Sequence, residues 1–249
     1  MPQLKAYHRP TTIEKALQLL NRSGVTTALV AGGTHAIPQL SENVDEVVDL
    51  QAIGLTGITV GEQLVTFGAM VTLQAIADEL QIPQSLREVV RRESASTFRN
   101  AATLGGVIAA PHRDSELLAF LLVSEAQVTV QNQNGQQALS LESFLRDIPA
   151  ALGGGIITAV SVQTGGQIAT DRVARTPADR PIVAALARKS PDGNLRLALC
   201  GVANVPLLVD PAADIKAAIN PAGDFRGSAE YRRQMAALLA RRVLDVLRD

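Results

Sequence analysis

"LVAGGTHAIPQL", residues 29–40, is a short apolar run that ends in two glycines, followed by a hydroxyl residue and a histidine. Adjacent glycines permit backbone angles that other residues avoid, and they let another group approach the backbone closely. Gly32 and Gly33 therefore indicate either a tight turn at the end of a strand or a turn on which a ligand lies. The segment alone leaves both interpretations open.

The residues on either side of this segment predict a small βαβ-like unit. A helix is predicted ahead of it, with Thr11 and Glu14 in a capping-box pattern and Gly24 as a stop signal. Strand candidates lie at 26–30 and 46–50. The paired glycines then follow the carboxyl end of a strand, which is where open α/β sheets place their ligands.

The composition sets limits on the class of protein. The chain has 249 residues, a formal net charge of −1, 47% apolar residues and 19% charged residues, which is ample for a packed core. The near-neutral balance gives no electrostatic reason to expect binding to nucleic acid or to an anionic membrane. No apolar run approaches the ~20 residues that span a bilayer, and the first ten residues lack a signal-peptide pattern. We therefore expect a soluble, cytoplasmic protein.

Residues that bind metals in proteins are few and scattered in this chain. The single cysteine, Cys200, excludes an internal disulfide and an iron–sulfur cluster held by thiolates of this chain. It lies in an apolar, strand-like run, which favours a buried structural thiol over a nucleophile. His8, His35 and His112 lack the short spacing to a second ligand that metal motifs show, so we expect no metal site.

Beyond residue 54 the pattern changes to paired strands and short helices, which together predict an α+β fold. Hairpin turns are predicted where turn residues interrupt strand-like runs: at Gly61-Glu62, Asn134-Gly135 and residues 191–193. Helices are predicted where apolar residues recur at helical spacing: at 73–80, 85–93 and 228–248. The last helix has a predicted buried stripe of Met235, Leu239, Val243 and Val246. The glycine-rich stretch at 151–167 predicts a domain boundary.

A second pair of glycines occurs in "STFRNAATLGGVIAA", residues 96–110, where Thr103 stands two residues before Gly105-Gly106. Two separate segments of this character favour one extended ligand held from two sides. A dinucleotide suits them, because its pyrophosphate needs backbone N–H donors at close range and its hydroxyls need carboxylate or threonine partners. The chain has neither the G-x-G-x-x-G nor the G-x-x-x-x-G-K-[ST] pattern of common nucleotide-binding loops.

In this order, these segments resemble the flavin-binding medium subunit of the molybdenum hydroxylases, the xanthine dehydrogenase, aldehyde dehydrogenase and carbon monoxide dehydrogenase type. The likeness runs from end to end. "YHRPTTIEKALQLL", residues 7–20, is similar to the family's opening, and the two glycine segments are similar to its two flavin loops. "DFRGSAEYRRQMAALLARRVL", residues 224–244, is similar to its closing signature.

The resemblance implies a two-lobed FAD-binding domain, residues 1–160, with a βαβ-like lobe of about 1–54 and a larger mixed lobe of 55–160. A small C-terminal domain of antiparallel strands and helices, residues 161–249, would follow. FAD would be bound non-covalently and would accept electrons from a 2Fe–2S cluster in a small partner subunit. A large partner subunit would carry the molybdenum cofactor, in a complex that is a dimer of heterotrimers.

The resemblance also assigns cofactor-binding residues. Backbone N–H groups of the first loop would wrap the pyrophosphate: Val30, Ala31, Gly32, Gly33, Thr34, His35 and Ala36. The second segment would contact the phosphates and the ribityl chain through Thr103, Gly105, Gly106 and Val107. Three side chains would complete the site: Glu116 at FAD hydroxyls, Ile157 near the flavin and Arg172 close to the isoalloxazine. No catalytic side chain is expected, because the flavin carries the redox chemistry.

Three positions depart from the family pattern. His35 replaces the aspartate of Gly-Gly-Thr-Asp, Val107 replaces an asparagine or aspartate, and Thr170 replaces an aromatic residue. They leave open a second interpretation, a non-catalytic assembly subunit of the same fold in which flavin binding is weak or lost. A third interpretation is a stand-alone flavin oxidase, for which the sequence offers no pair of base and nucleophile.

Overall fold

The computed structural model describes residues 4–248, so the outermost ends of the two predicted domains, residues 1–3 and 249, lie outside the described residues. The described chain forms three β-sheets with helices packed between and around them. One sheet is parallel and two are antiparallel. The α+β class predicted from the sequence is confirmed.

The first lobe is a parallel sheet with one helix. Its elements are β1 (Ala6–His8), α1 (Ile13–Leu20), β2 (Thr27–Val30), β3 (Glu46–Asp49) and a 3-10 helix (Leu50–Ile53). The strand order is β1-β3-β2, and both neighbouring pairs are parallel. The predicted βαβ unit is therefore present, and the first glycine pair directly follows the carboxyl end of β2.

The start of α1 differs from the prediction by one residue. Thr12 has extended backbone angles and its Oγ1 accepts the N–H of Lys15 at 3.2 Å, which makes it the N-cap. The predicted capping box of Thr11 and Glu14 is therefore wrong: Thr12 caps the helix, and the third residue after it is Lys15, so its hydroxyl acts without an acidic partner. Gly24 lies in the turn beyond the helix rather than ending it.

The second lobe is built around a five-stranded antiparallel sheet. Its elements in chain order are β4 (Ile58–Val60), β5 (Leu64–Gly68), α2 (Leu73–Asp78), α3 (Gln84–Glu93), α4 (Ser96–Arg99), α5 (Leu104–Ala109), α6 (Glu116–Val123), β6 (Gln127–Asn132), β7 (Gly135–Ser140), α7 (Leu141–Arg146), α8 (Ile148–Leu152) and β8 (Ile156–Gln163). The strand order is β4-β5-β8-β6-β7, which places β8 in the centre.

The central position of β8 bears on the predicted domain boundary. The glycine-rich stretch 151–167 contains this strand, and a division after residue 160 falls inside it. Gln163 still pairs with Leu64 of β5, so the chain leaves the five-stranded sheet at residues 164–166. Glycines at the two ends of a buried strand had given the stretch the composition of a linker.

The two hairpins predicted in this lobe both form, with one shift in the turn. β4 and β5 pair around Gly61-Glu62, as predicted. In the second hairpin Asn132 pairs with Gly135, so the turn residues are Gln133 and Asn134 rather than the predicted Asn134-Gly135. Gly135 has a φ of +123° and so takes the unusual backbone angle at the first position of the strand.

The C-terminal unit is a four-stranded antiparallel sheet covered by a long helix. Its elements are β9 (Gln167–Val173), β10 (Val183–Lys189), β11 (Leu195–Cys200), β12 (Leu207–Val209), α9 (Ile215–Ala218) and α10 (Ala229–Arg248). The strand order is β12-β11-β10-β9. One face of this sheet packs on α10 and the other on the wholly buried α6 of the second lobe. Because α6 belongs to the second lobe, its packing against this sheet joins the C-terminal unit to the rest of the chain.

The buried face of α10 differs from the predicted stripe at its end. Leu239 and Val243 are buried, as predicted, and Met235 is half-buried. Val246 is 66% exposed, whereas Leu247 is buried. Leu247 is the residue that continues the four-residue spacing of Leu239 and Val243, and that spacing keeps side chains on one face of a helix.

A buried arginine fixes α10 to the sheet. Arg232 has no exposed surface, and its guanidinium donates to the carbonyl oxygens of Ile182 and Gly201 and to the carboxylate of Asp224. Gly201 and Ile182 flank the strands β11 and β10. One side chain therefore holds the helix, both strand ends and the turn that precedes the helix.

We expect Arg232→Ala to lower the free energy of unfolding by about 3–5 kcal/mol, because it empties a fully buried site and removes a charged donor from the Asp224 carboxylate and from two carbonyl groups. Arg233→Ala is the matched control on the same helix. Arg233 forms an exposed pair with Glu230, and losing it should cost less than about 1 kcal/mol. Urea unfolding curves of the two variants measure the difference, and equal losses would contradict this role for Arg232.

Candidate functional site

A cavity of about 620 Å³ lies where the two lobes and the C-terminal unit meet. Its wall is formed by the loop after β2, by the segment from α3 to α5, and by the loop between β9 and β10. A volume of this size is typical of small-molecule and cofactor sites. Apolar side chains make up part of the wall: Leu29, Leu50, Met70, Leu73, Phe98, Ile156 and Ile157.

The loop after β2 has backbone N–H groups with no protein acceptor. Within the described residues, the N–H groups of residues 32–36 donate to no backbone or side-chain oxygen. The loop is closed by the N–H of Ile37, which donates to the carbonyl of Gly33 at 3.2 Å, and Gly33 has a φ of +72°. Successive free N–H groups in a turn form a concave site for an anion. Because residues 32–36 line the cavity, this loop can bind a phosphate group there.

The second glycine pair is placed differently from the prediction. Gly105 and Gly106 lie in the first turn of α5, and their N–H groups are already used. Gly105 donates to the carbonyl of Ala69 at 2.9 Å, Gly106 to Oγ1 of Thr103 at 3.1 Å, and Val107 to the carbonyl of Thr103 at 3.0 Å. These three N–H groups are therefore not free for a phosphate. The Thr103 hydroxyl hydrogen and the small surface of the glycines remain available to a ligand.

The glycines have a packing role that the sequence pattern did not reveal. A Cβ atom on Gly32 would lie 1.7 Å from the carbonyl oxygen of Ala101, so the first loop touches the second segment backbone to backbone. A Cβ atom on Gly105 would lie 2.8 Å from the Cβ of Ala69 at the end of β5. The two glycine pairs therefore bring the loops together and leave space beside them.

Most of the residues predicted to bind the cofactor line this cavity: Ala31, Gly32, Gly33, Thr34, His35, Ala36, Thr103, Gly105, Gly106, Val107 and Ile157. Val30 is buried at the end of β2, behind the loop. Glu116 and Arg172 are also absent from the cavity wall. The structure thus brings together both glycine segments and one predicted apolar residue, but neither predicted charged side chain.

Glu116 and Arg172 are paired with each other. The Nε of Arg172 lies 3.4 Å from Oε1 of Glu116, and the Nε of Arg92 lies 3.1 Å from Oε2. The Arg172 guanidinium also donates to the backbone carbonyls of Pro177 and Asp179. A buried carboxylate requires charged partners of this kind, and here Oε2 of Glu116 accepts a hydrogen bond from Arg92 while Oε1 lies within ion-pair distance of Arg172. The contacts of Glu116 with FAD hydroxyls and of Arg172 with the isoalloxazine stay predictions.

Five titratable residues on the cavity wall were not assigned to the cofactor from the sequence: Arg92, Glu93, His112, Asp179 and Arg180. Arg180 lies 3.0 Å from the Glu93 carboxylate and 3.4 Å from that of Asp114. Burial raises the pKa of Glu93 to about 7, and burial lowers the pKa of His112. The His112 ring lies edge-on to that of His35, 6.0 Å away. These residues come from separate parts of the chain, and no local pattern connects them.

The remaining chemistry-bearing groups of the described chain are structural. Cys200 is fully buried, as predicted, and burial raises the pKa of its thiol well above the usual value. Among residues 4–248, no group of three or more His, Cys, Asp or Glu side chains is arranged to hold a metal ion.

Within the same range, no helix has the length and apolar character needed to cross a membrane.

The loop with free N–H groups and the cavity beside it suit an extended anionic ligand, and comparison with known proteins specifies the class of protein. The family model described as "FAD binding domain in molybdopterin dehydrogenase" matches residues 2–162. This chain belongs to that family. The resemblance inferred from the sequence is confirmed.

Individual relatives match the chain over nearly its whole length. The carbon monoxide dehydrogenase medium chain of Afipia carboxidovorans is 26% identical, over 96% of this chain and 95% of that protein. YgfM of Escherichia coli K12, an uncharacterised protein, is 28% identical over 99% and 96%. A chain in the structure of reconstituted carbon monoxide dehydrogenase from Oligotropha carboxidovorans superposes with a TM-score of 0.84 and 27% identity, over 99% and 98%. The shared fold therefore includes the C-terminal unit.

We expect Gly33→Val to weaken FAD binding at least tenfold more than His35→Ala does. A β-branched residue is strained at a φ of +72°, so the loop would change shape and its N–H groups would no longer converge. His35 contributes at most one side-chain hydrogen bond, worth about 0.5–1.5 kcal/mol. Titration of FAD into both folded variants measures the two affinities, and equal losses would contradict the role of the loop backbone.

Proposed function

We propose that this chain binds one FAD non-covalently and transfers electrons as the flavin subunit of a molybdenum hydroxylase-type complex. The observation that carries the proposal is the run of free N–H groups at 32–36 on the wall of the 620 Å³ cavity. The pyrophosphate of FAD is an anion that these groups can hold. Family membership supports FAD as the dinucleotide.

The proposed contacts follow from what each part of the wall offers. The loop from Ala31 to Ala36 binds the pyrophosphate through its backbone, with His35 beside it. The Thr103 hydroxyl donates to a sugar or ribityl oxygen, while Gly105, Gly106 and Val107 form a close-packed wall. Ile157 and the other apolar side chains of the cavity exclude water from the ring systems. When bound, FAD supplies the redox chemistry.

The domain division is part of the same proposal. We place the FAD-binding domain from the start of the chain to residue 163 and the C-terminal domain from residue 167 onward. The reason is that β8 belongs to the five-stranded sheet and β9 to the four-stranded one. The two lobes of the first domain are divided near residue 54, between the parallel and antiparallel sheets.

The proposed partners follow from what this chain lacks. One cysteine cannot hold an iron–sulfur cluster, so any such cluster that reduces this flavin belongs to another chain. We infer a small subunit with 2Fe–2S clusters as the electron donor and a large subunit with the molybdenum cofactor as the site of substrate oxidation, assembled as a dimer of heterotrimers. The relatives named as medium chains of carbon monoxide dehydrogenase support a role beside other subunits.

We expect the purified, FAD-saturated chain to show a flavin absorption spectrum and to release all of its flavin on denaturation. Alone it should oxidise no purine, aldehyde or carbon monoxide, because its sequence offers no pair of base and nucleophile and no metal-ligand cluster is found among residues 4–248. With its partner subunits added, the substrate of the complex should reduce the bound flavin.

The outcomes separate the alternatives. No binding at micromolar FAD would favour the non-catalytic assembly subunit, and flavin retained on the denatured chain would contradict non-covalent binding. Substrate-driven flavin reduction by the isolated chain, at the rate of the complex, would favour the stand-alone oxidase. Copurification of neighbouring gene products is the control for assembly.

A further inference from the structure

We propose that Glu93 takes up a proton when the bound flavin is reduced, so that the ion-pair cluster on the cavity wall gains a positive charge as the flavin gains a negative one. This inference rests on the proposed electron-transfer function and extends it to a residue of this chain. Glu93 then acts on the flavin through its charge, as a redox-linked protonation site.

Glu93 is held at one fixed place on the cavity wall. It is the last residue of α3, and only 2% of its surface is exposed. Its Oε2 accepts the hydroxyl of Ser115 at 2.9 Å and the N–H of Leu117 at 3.3 Å, and its Oε1 lies 3.0 Å from the Arg180 guanidinium. Both Glu93 and Arg180 line the cavity. A change in the charge of the Glu93 carboxyl group therefore changes the electrostatic potential inside the cavity.

The cluster around Glu93 is balanced in charge. Arg180 is shared between Glu93 and Asp114, and Asp114 also binds Arg226 at 2.6 Å. Two carboxylates thus face two guanidinium groups when Glu93 is ionised. Protonation of Glu93 leaves the cluster with one net positive charge beside the cavity.

The other titratable groups near Glu93 are less suited to gain this proton. Burial lowers the pKa of His112 and keeps its ring neutral, and burial raises the pKa of the Cys200 thiol. Arg92, on the same helix as Glu93, is engaged with Glu116. Burial raises the pKa of Glu93 to about 7, against the opposing effect of Arg180, so small changes in local charge switch its protonation near neutral pH.

The electron source makes such a site useful. A hydride donor brings a proton with its electrons, whereas an iron–sulfur donor brings electrons alone. A bound FAD that accepted two electrons and one proton would add one negative charge to the cavity. That charge raises the proton affinity of a nearby buried carboxylate. A second proton, from water, then binds Glu93, and both protons leave when the final acceptor takes the two electrons.

The test is the pH dependence of the midpoint potential of bound FAD in the full chain, measured by spectroelectrochemical titration between pH 7 and 9. The wild-type chain should take up two protons for every two electrons over part of this range, and Glu93→Gln should take up one. Glu125→Gln is the control, because Glu125 is a carboxyl paired with the buried Arg188 at 2.7 Å but absent from the cavity wall. An unchanged proton count in Glu93→Gln would overturn the proposal.

A measurement on the wild-type chain keeps the test independent of how the variant folds. The infrared difference spectrum of reduced minus oxidised protein should gain a band from a protonated carboxyl group. A wild-type spectrum without this band would overturn the proposal by itself. A chain that binds FAD but fails both tests contradicts this inference alone, whereas a chain that binds no FAD contradicts the proposed function as well.

Discussion

The contact on which the site depends is the meeting of two backbones at Gly32 and Ala101. No side chain fits between them, since even a Cβ atom at position 32 would lie 1.7 Å from the Ala101 carbonyl oxygen. This contact holds the loop after β2 against the segment that leads into α5. It also keeps the loop open on its other side, where the N–H groups of 32–36 are left without acceptors. The same loop conformation thus gives both the close contact at Gly32 and the free N–H groups at 32–36.

The third wall of the cavity comes from the C-terminal unit, and arginines attach it. Arg180, in the loop between β9 and β10, pairs with Glu93 and Asp114 of the second lobe. Arg172, at the end of β9, donates to two carbonyl oxygens of the same loop and pairs with Glu116 of the second lobe. The carboxylates of this network are buried, and its guanidinium groups are mostly buried. Such networks position chain segments well, because removing one partner leaves the other charge buried without compensation.

Sequence patterns predicted those features that depend on neighbouring residues. The βαβ unit, the hairpins and the long last helix each follow from local spacing. An error of one residue arose at the start of α1, where Thr11 and Glu14 have capping-box spacing but the adjacent Thr12 is the N-cap. The role of β8 was missed because burial in the centre of a sheet depends on strands far away in the chain. Family resemblance located the cavity wall but not the state of each hydrogen-bonding group on it. Whether the N–H of Gly105 is free, or Oε2 of Glu116 already accepts a hydrogen bond, is decided by distant partners such as Ala69 and Arg92.

The central claim is that the first loop binds the pyrophosphate through free N–H groups while the second segment does not. Hydrogen–deuterium exchange at single amides tests it directly. Without FAD, the amides of residues 32–36 should exchange quickly, and those of Gly105, Gly106 and Val107 should already be protected. Saturating FAD should slow exchange strongly at 32–36 and leave 105–107 nearly unchanged. Unchanged exchange at 32–36 in the FAD-bound chain would contradict the account.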